Sequence, residues 1–234
     1  MIGVHRGSLI PPSVRVMPLD VRPLANTRLD AVPVALRTRV PNAAAALGWR
    51  VMGRSPDRSS IVVMIRPILK YGDGTLHVAA RPVDAITPDV DRLVGDMVET
   101  MYAAPGIGLA APQIAVPLRV IVVDLSVGEE KAQLIKLINP EFVLREGEQR
   151  HDEGCLSVPG FGGSPVRPER VVVKGLDPDG QERTYEGTEL LARAFCHEID
   201  HIDGLLFVDR LTPLKRDLMK RKLRKKARTD DWEE

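Results

Sequence analysis

The run His197-Glu198-Ile199-Asp200-His201 sets two imidazoles four residues apart, with a carboxylate beside the first. On a helix that spacing turns through about 400°, so both rings leave nearly the same face and can share one metal ion. Glu198 is then placed to take a proton from water activated by that ion. An exposed polar helix face would carry the same letters. Phe195, Ile199 and Ile202, however, predict a buried helix, in which imidazoles and carboxylates need partners.

Two imidazoles leave a further ligand to be found. A metzincin pattern would require a third His where Phe207 stands, although Gly204 is in register; a thermolysin pattern would require a downstream Glu, and beyond Gly204 the only glutamates are Glu233 and Glu234. An upstream ligand is therefore expected, and the candidate is Cys155 in Glu153-Gly154-Cys155-Leu156-Ser157. A thiolate with two imidazoles fills three tetrahedral positions for Fe²⁺ or Zn²⁺ and leaves one for chemistry. Taken alone, Cys155 reads better as a small core residue than as a ligand. Cys196 adjoins His197 but points about 100° away on the helix and reads as a buried thiol.

A third segment, Gly106-Ile107-Gly108-Leu109-Ala110-Ala111-Pro112-Gln113, is a glycine turn followed by small residues and an amide. It lacks the spacing and the Lys of a phosphate loop. Its glycines permit close approach of backbone to a ligand, and Gln113 offers an amide donor for a developing oxyanion.

These groups need elements to hold them. Leu190, Leu191, Ala194, Phe195, Ile199 and Ile202 recur at helical spacing between Gly187 and Gly204, a plausible C-cap. Thr87-Pro88-Asp89 is an N-cap, a first-turn proline and an acid, followed by Val90, Leu93, Val94, Met97, Val98 and Met101 on one face, so a helix is expected to about Ala104. Residues 118–125, 134–138, 142–148, 170–176 and 183–186 read as strands, the last two joined by an Asp177-Pro178-Asp179-Gly180 turn. Strands followed by a long helix predict an α+β fold of antiparallel sheets packed around the metal-binding helix, not βαβ repeats.

Formal charge is +1 over 234 residues, but its distribution is uneven. Residues 1–63 hold nine Arg and three Asp, a net of +6; residues 64–213 hold 15 basic and 24 acidic groups, a net of −9; residues 214–228 hold nine basic groups and Asp217, a net of +8. Hydrophobic content of 44% excludes wholesale disorder, and no apolar run approaches the roughly 18 residues a membrane span needs. Two cysteines make no disulfide framework. The Pro- and Arg-rich residues 1–63 show no sustained periodicity and read as an extension outside the domain: a transit peptide, a disordered segment, or sequence upstream of a start at Met64. The domain is expected over 64–213, followed by a basic helix and tail over 214–234, in which Leu214, Leu218 and Leu223 form a thin apolar stripe.

Together the motifs resemble those of the peptide deformylases. Gly106–Gln113 is similar to the family's G-φ-G-φ-A-A-x-Q motif, Glu153–Ser157 to E-G-C-φ-S, and His197–His201 to H-E-φ-D-H, in that order. The resemblance runs from Met64 to about Arg228; residues 1–63 have no counterpart in it, which favours the start at Met64.

The resemblance implies a hydrolase that removes the N-formyl group from the initiator methionine of nascent peptides, releasing formate. It implies a metal held by Cys155, His197 and His201, with Glu198 as base and acid, Gln113 and the Leu156 N–H as oxyanion donors, and Ile107, Gly108 and Gly154 along the peptide backbone. Fe²⁺ is the expected ion by resemblance; Zn²⁺ suits the ligands equally, and Ni²⁺ or Co²⁺ would serve. The expected setting is a bacterial-type cytoplasm, or an organelle if residues 1–63 are a transit peptide, with a monomer and no membrane partner. Two alternatives stand beside this: another metal-dependent amidase or protease, and a ribosome- or RNA-binding module with a structural metal, argued from the basic tail.

Overall fold

Thr87 starts the first helix as its residue type requires. Its hydroxyl accepts the Val90 N–H at 3.4 Å, Pro88 occupies the first turn where no donor is needed, and Asp89 and Asp91 lie at the positive end of the helix dipole. This helix, α1, spans Pro88–Ala103 and buries Val90, Leu93, Val94, Met97, Val98 and Met101.

The computed structural model describes residues 63–130, 133–229 and 232, and the backbone of residues 15–16. The reading of residues 1–63 as an extension therefore falls almost wholly outside the described residues. The exception is a strand, β1, Arg15–Val16, which the sequence did not suggest.

Nine further strands follow: β2 Gly108–Ala110, β3 Val120–Val123, β4 Ile135–Glu146, β5 Gln149–Arg150, β6 Glu153–Gly154, β7 Gly162–Gly163, β8 Val166–Arg167, β9 Arg170–Leu176 and β10 Glu182–Thr188. Six of them form one sheet in the order β1-β10-β9-β4-β3-β2; β5 pairs with β8 and β6 with β7. Every one of these ladders is antiparallel, as expected for the α+β class. The Asp177–Gly180 turn joins β9 to β10, with Asp177 Oδ1 accepting the Asp179 and Gln181 N–H groups.

Two strands expected over 134–138 and 142–148 are one long strand, β4. Its ladder with β9 shifts register between Ile138 and Glu141. Pro140 has no N–H to donate there, so the strand bulges and bends instead of ending. Gly175 on β9 lies against the bulge, where a Cβ would come within 3.0 Å of the Ile138 carbonyl oxygen.

The second helix, α2, spans Glu189–Ile202. It packs Leu191, Ala194, Phe195, Ile199 and Ile202 against Ile121, Val123, Leu137, Val171 and Val173 on one face of the sheet. The other face takes α1, whose side chains meet Leu109, Val120, Val122 and Ile138. β3 thus alternates Val120 and Val122 toward α1 with Ile121 and Val123 toward α2, and all four are buried. Burying each such side chain contributes about 1.5–3 kcal/mol before chain entropy is counted. This covered strand is the rigid base beneath the α2 helix that carries His197 and His201.

The third helix, α3, spans Pro213–Thr229. The apolar stripe read along it divides. Leu223 is fully buried with Cys155, Val158, Leu206, Phe207, Val208 and Leu211, whereas Leu214 and Leu218 are 72% and 50% exposed. Met219 packs against the same cluster from the preceding turn, but of the three leucines only Leu223 finds a partner surface. Among the described residues, no helix is long and apolar enough to cross a membrane.

Candidate metal centre

α2 delivers both imidazoles from one face, as the i, i+4 spacing requires: the ring centroids of His197 and His201 are 4.9 Å apart. Cys155 arrives from a different part of the chain, immediately after β6, with its Sγ 3.2 Å from His201 Nε2. A ligand atom from each of Cys155, His197 and His201 lies within 4.8 Å of the others, and all three residues are buried. The core-residue reading of Cys155 and its ligand reading are thus compatible: it packs on Val158 and Phe207 while its sulfur faces the two rings.

The chemistry of the donors suits a divalent cation. Burial would raise the Cys155 thiol, but the positive field of His201 and His197 outweighs it and holds the group well below its ordinary value, toward the thiolate that a metal requires. His197 Nδ1 is 3.1 Å from Glu153 Oε2, an arrangement that fixes the ring and leaves Nε2 as the ligand nitrogen. The enclosed space beside these groups measures about 10 Å³, room for one ion or water molecule. One sulfur and two nitrogens fit Fe²⁺ or Zn²⁺ far better than an oxygen-loving cation.

The remaining expected residues line that pocket: Gln113, Leu156, Glu198, Ile107, Gly108 and Gly154. Glu198 is buried, and among the described residues its Oε2 has no hydrogen-bond partner. Burial raises its pKa, partly offset by the two His, which suits a group that must both take and return a proton. Gln113 sits in a short 3-10 turn, Ala111–Ile114. Its Oε1 accepts the Ala110 N–H at 2.9 Å, and Nε2 donates to Ser157 Oγ at 3.1 Å. Nε2 also lies 3.8 Å from Cys155 Sγ, so the amide's second hydrogen is directed at the sulfur, beside the position a substrate oxygen would take. The Leu156 N–H donates to no group among the described residues.

The expected backbone contacts divide by kind. β2 is the edge strand of the six-stranded sheet, paired with β3 on one side only, so Gly108 can offer an unpaired edge to an extended peptide. The Ile107 side chain is 3% exposed and belongs to the core, while its carbonyl accepts the Asp124 N–H; its N–H is what remains for a ligand. Gly154 is paired with Gly162. Cys196 stands apart from the cluster, buried in the core, its thiol pushed up to about 12 by burial.

Sequence reasoning missed the ionic frame under this pocket. Arg167 on β8 donates to both carboxylate oxygens of Glu153, at 2.8 and 2.9 Å, and to Asp200 Oδ2 at 2.6 Å; Arg210 also bonds Asp200. Burial would raise Glu153, but Arg167 and His197 hold it down at about 2. The acids were visible inside two motifs; a buried acid requires a cation, and that signal was present. Nothing in Pro165-Val166-Arg167-Pro168 marks which arginine answers it.

A family model described as Polypeptide deformylase matches residues 65–217. The chain is 50% identical over 170 residues to the peptide deformylase of Acidobacterium capsulatum, covering 73% of this chain and 100% of that protein. It is 52% identical over 162 residues to that of Thermodesulfovibrio yellowstonii, covering 69% and 98%. Among solved structures, a peptide deformylase from Legionella pneumophila is similar with a TM-score of 0.66 at 45% identity, covering 73% of this chain and 99% of that one. The enzyme from Ehrlichia chaffeensis in complex with actinonin gives 0.64 at 35%, covering 71% and 99%.

Proposed function

Because the chain belongs to the polypeptide deformylase family of enzymes, we propose that it hydrolyses the N-formyl group of formylmethionyl peptides, releasing formate and a free amino terminus. The observation that carries this reading is the convergence of Cys155, His197 and His201, with Glu198, whose Oε2 has no hydrogen-bond partner among the described residues, lining the pocket beside Cys155 and His197. Cys155 Sγ and the two imidazoles would hold the metal, which we take to be Fe²⁺. When bound, it supplies Lewis acidity, so that water can be deprotonated near neutral pH and the formyl carbonyl polarised.

The rest falls to the chain's own groups. Glu198 accepts the proton of the attacking water and delivers it to the departing amine, a transfer favoured by its burial. The Gln113 amide and the Leu156 N–H donate to the oxygen that becomes negative as the formyl carbon turns tetrahedral. The free edge of β2 at Gly108, with Ile107 and Gly154, aligns the peptide as an added strand.

Formyl-Met-Ala-Ser assayed against acetyl-Met-Ala-Ser tests the reading, with metal content measured on protein purified without oxygen. Formate release from the first peptide alone supports it. Cleavage of an internal bond would instead establish a protease on the same metal site, and an inactive protein with stoichiometric metal would favour a structural metal. The basic α3 also fits the notion that substrate is met at the ribosome: residues 214–228 carry a net charge of +8, suited to releasing counterions from ribosomal RNA. Co-sedimentation with ribosomes that weakens as salt rises is the expected behaviour.

A further inference from the structure

A second and much roomier concavity lies outside the metal pocket. It is a groove of about 860 Å³ between residues 68–73 and the C-terminal half of α3. The size is that of a small-molecule site. Arg221, Arg224 and Arg228 line it from α3, Tyr71 lines it from the opposite wall, and the half-buried indole of Trp232 lines it as well. The i, i+3, i+7 spacing puts the three guanidinium groups along one face over about 10 Å of helix. Among the described residues none of the three has a carboxylate or hydrogen-bond partner. Asp73, the acid in the groove, already accepts the Thr75 N–H.

The walls meet closely. Gly72 has φ of +112°, and a Cβ there would come within 3.2 Å of Ala227 Cβ, so only a glycine opposite a small residue lets the segment approach the helix this way. The helix carries six other basic groups; of these Lys222 and Lys225 do not line the groove, Lys220 is paired with Asp209, and Lys226 lies between the Phe161 and Trp232 rings. Three arginines and an indole in one concavity are a selected subset of the tail's charge, not its average.

We propose that this groove binds a purine nucleoside polyphosphate, with its phosphates on Arg221, Arg224 and Arg228 and its base stacked on Trp232. Guanidinium forks match phosphate oxygens in pairs, and an aromatic face accepts any purine ring. A small ligand is favoured over a polynucleotide because the three arginines line a concavity. The inner wall is shared with the metal pocket: Leu69 N–H donates to the Gln113 carbonyl, Tyr71 N–H to that of Ser157, and Lys70 Nζ to that of Leu156. Binding there is nevertheless measured directly, so its failure is separate from failure of the deformylase reading.

Calorimetric titration of the metal-loaded full chain with GTP, inorganic triphosphate and a single-stranded uridine oligonucleotide tests the proposal. GTP is expected to bind about tenfold more tightly than triphosphate, the difference being the stacked base. Trp232→Ala should bring GTP to the level of triphosphate and leave triphosphate unchanged. Arg221→Gln with Arg224→Gln should weaken both by roughly 100-fold, while Lys222→Gln with Lys225→Gln, outside the groove, should alter neither. Unchanged circular dichroism and metal content would show that the variants fold. No binding of GTP, equal losses from both double variants, or an oligonucleotide complex that GTP does not displace would overturn it, the last result assigning the arginines to RNA.

Discussion

Gly108 on β2 and Glu198 on α2 are in such close contact that a methyl group on Gly108 would lie 2.8 Å from Glu198 Cδ and closer still to its Oε1. The glycine is required by the carboxylate it faces, not by a turn. Gly108→Ala should displace the Glu198 carboxylate by about an ångström and lower kcat by about 100-fold while metal content stays constant. Steady-state kinetics on formyl-Met-Ala-Ser with metal analysis would check this; wild-type turnover in the variant would remove Glu198 from the role given to it.

Glu153 holds His197 on one side and Arg167 on the other. Glu153→Gln keeps the shape but leaves Arg167 with only Asp200 as a buried counter-charge. Metal affinity should fall about 10- to 100-fold, measured by competition with a chelator. Stability should fall by about 3 kcal/mol or more, because a buried cation loses half its compensation.

Lys70 acts on the pocket from outside. Its Nζ donates to the Leu156 carbonyl at 2.9 Å, one peptide away from the N–H assigned to the oxyanion. Lys70→Met should lower kcat roughly tenfold with KM nearly unchanged, and Lys70→Arg should restore most of it. A loss confined to KM would point to a role in binding instead.

Asp124 is fully buried and receives Tyr102 Oη at 2.6 Å, Ser126 Oγ at 2.7 Å and the N–H groups of Ser126 and Gly128. Burial raises its pKa, but these donors together lower it below the ordinary carboxylate value. Its contribution to stability is therefore complete above about pH 4 and is lost as pH falls through the depressed folded value. Asp124→Asn should cost about 1–3 kcal/mol near neutral pH, and the gap from wild type should shrink on acidification in urea titrations at successive pH values.

The two thiols should behave oppositely. With metal removed, Cys155, its pKa lowered beside two imidazoles, should be alkylated by iodoacetamide, whereas Cys196, at about 12 in the apolar core, should remain unmodified until the protein unfolds. Mass spectrometry of the peptides distinguishes the two.

Much of the site was legible because its information is local. His197, Glu198 and His201 are placed by helical periodicity alone, and flanking apolar residues declared the helix buried. The Thr87-Pro88 start of α1 and the Asp177–Gly180 turn are equally local, set by caps and turn chemistry. The β4 bulge escaped because Pro140 is as compatible with a strand break as with a bend, and only the continuous β9 alongside decides between them. The split of the α3 stripe escaped for the same reason: Leu214, Leu218 and Leu223 share a pattern, but a partner surface exists for Leu223 alone.

By itself the sequence determined the types of group available and their order along each element: two imidazoles on one helical face, a thiol in a turn, glycines before a glutamine. Tertiary structure decided which of these meet. Cys155 and His201 lie 46 residues apart in the chain and 3.2 Å apart in space. Arg167 came to bridge Glu153 and Asp200, with Arg210 joining it at Asp200, and Gly108 was set against Glu198. Those relations depend on how the edge strand β2, the β6 turn and α2 pack on a common sheet, and long-range packing is a property of the whole apolar pattern, not of any motif within it.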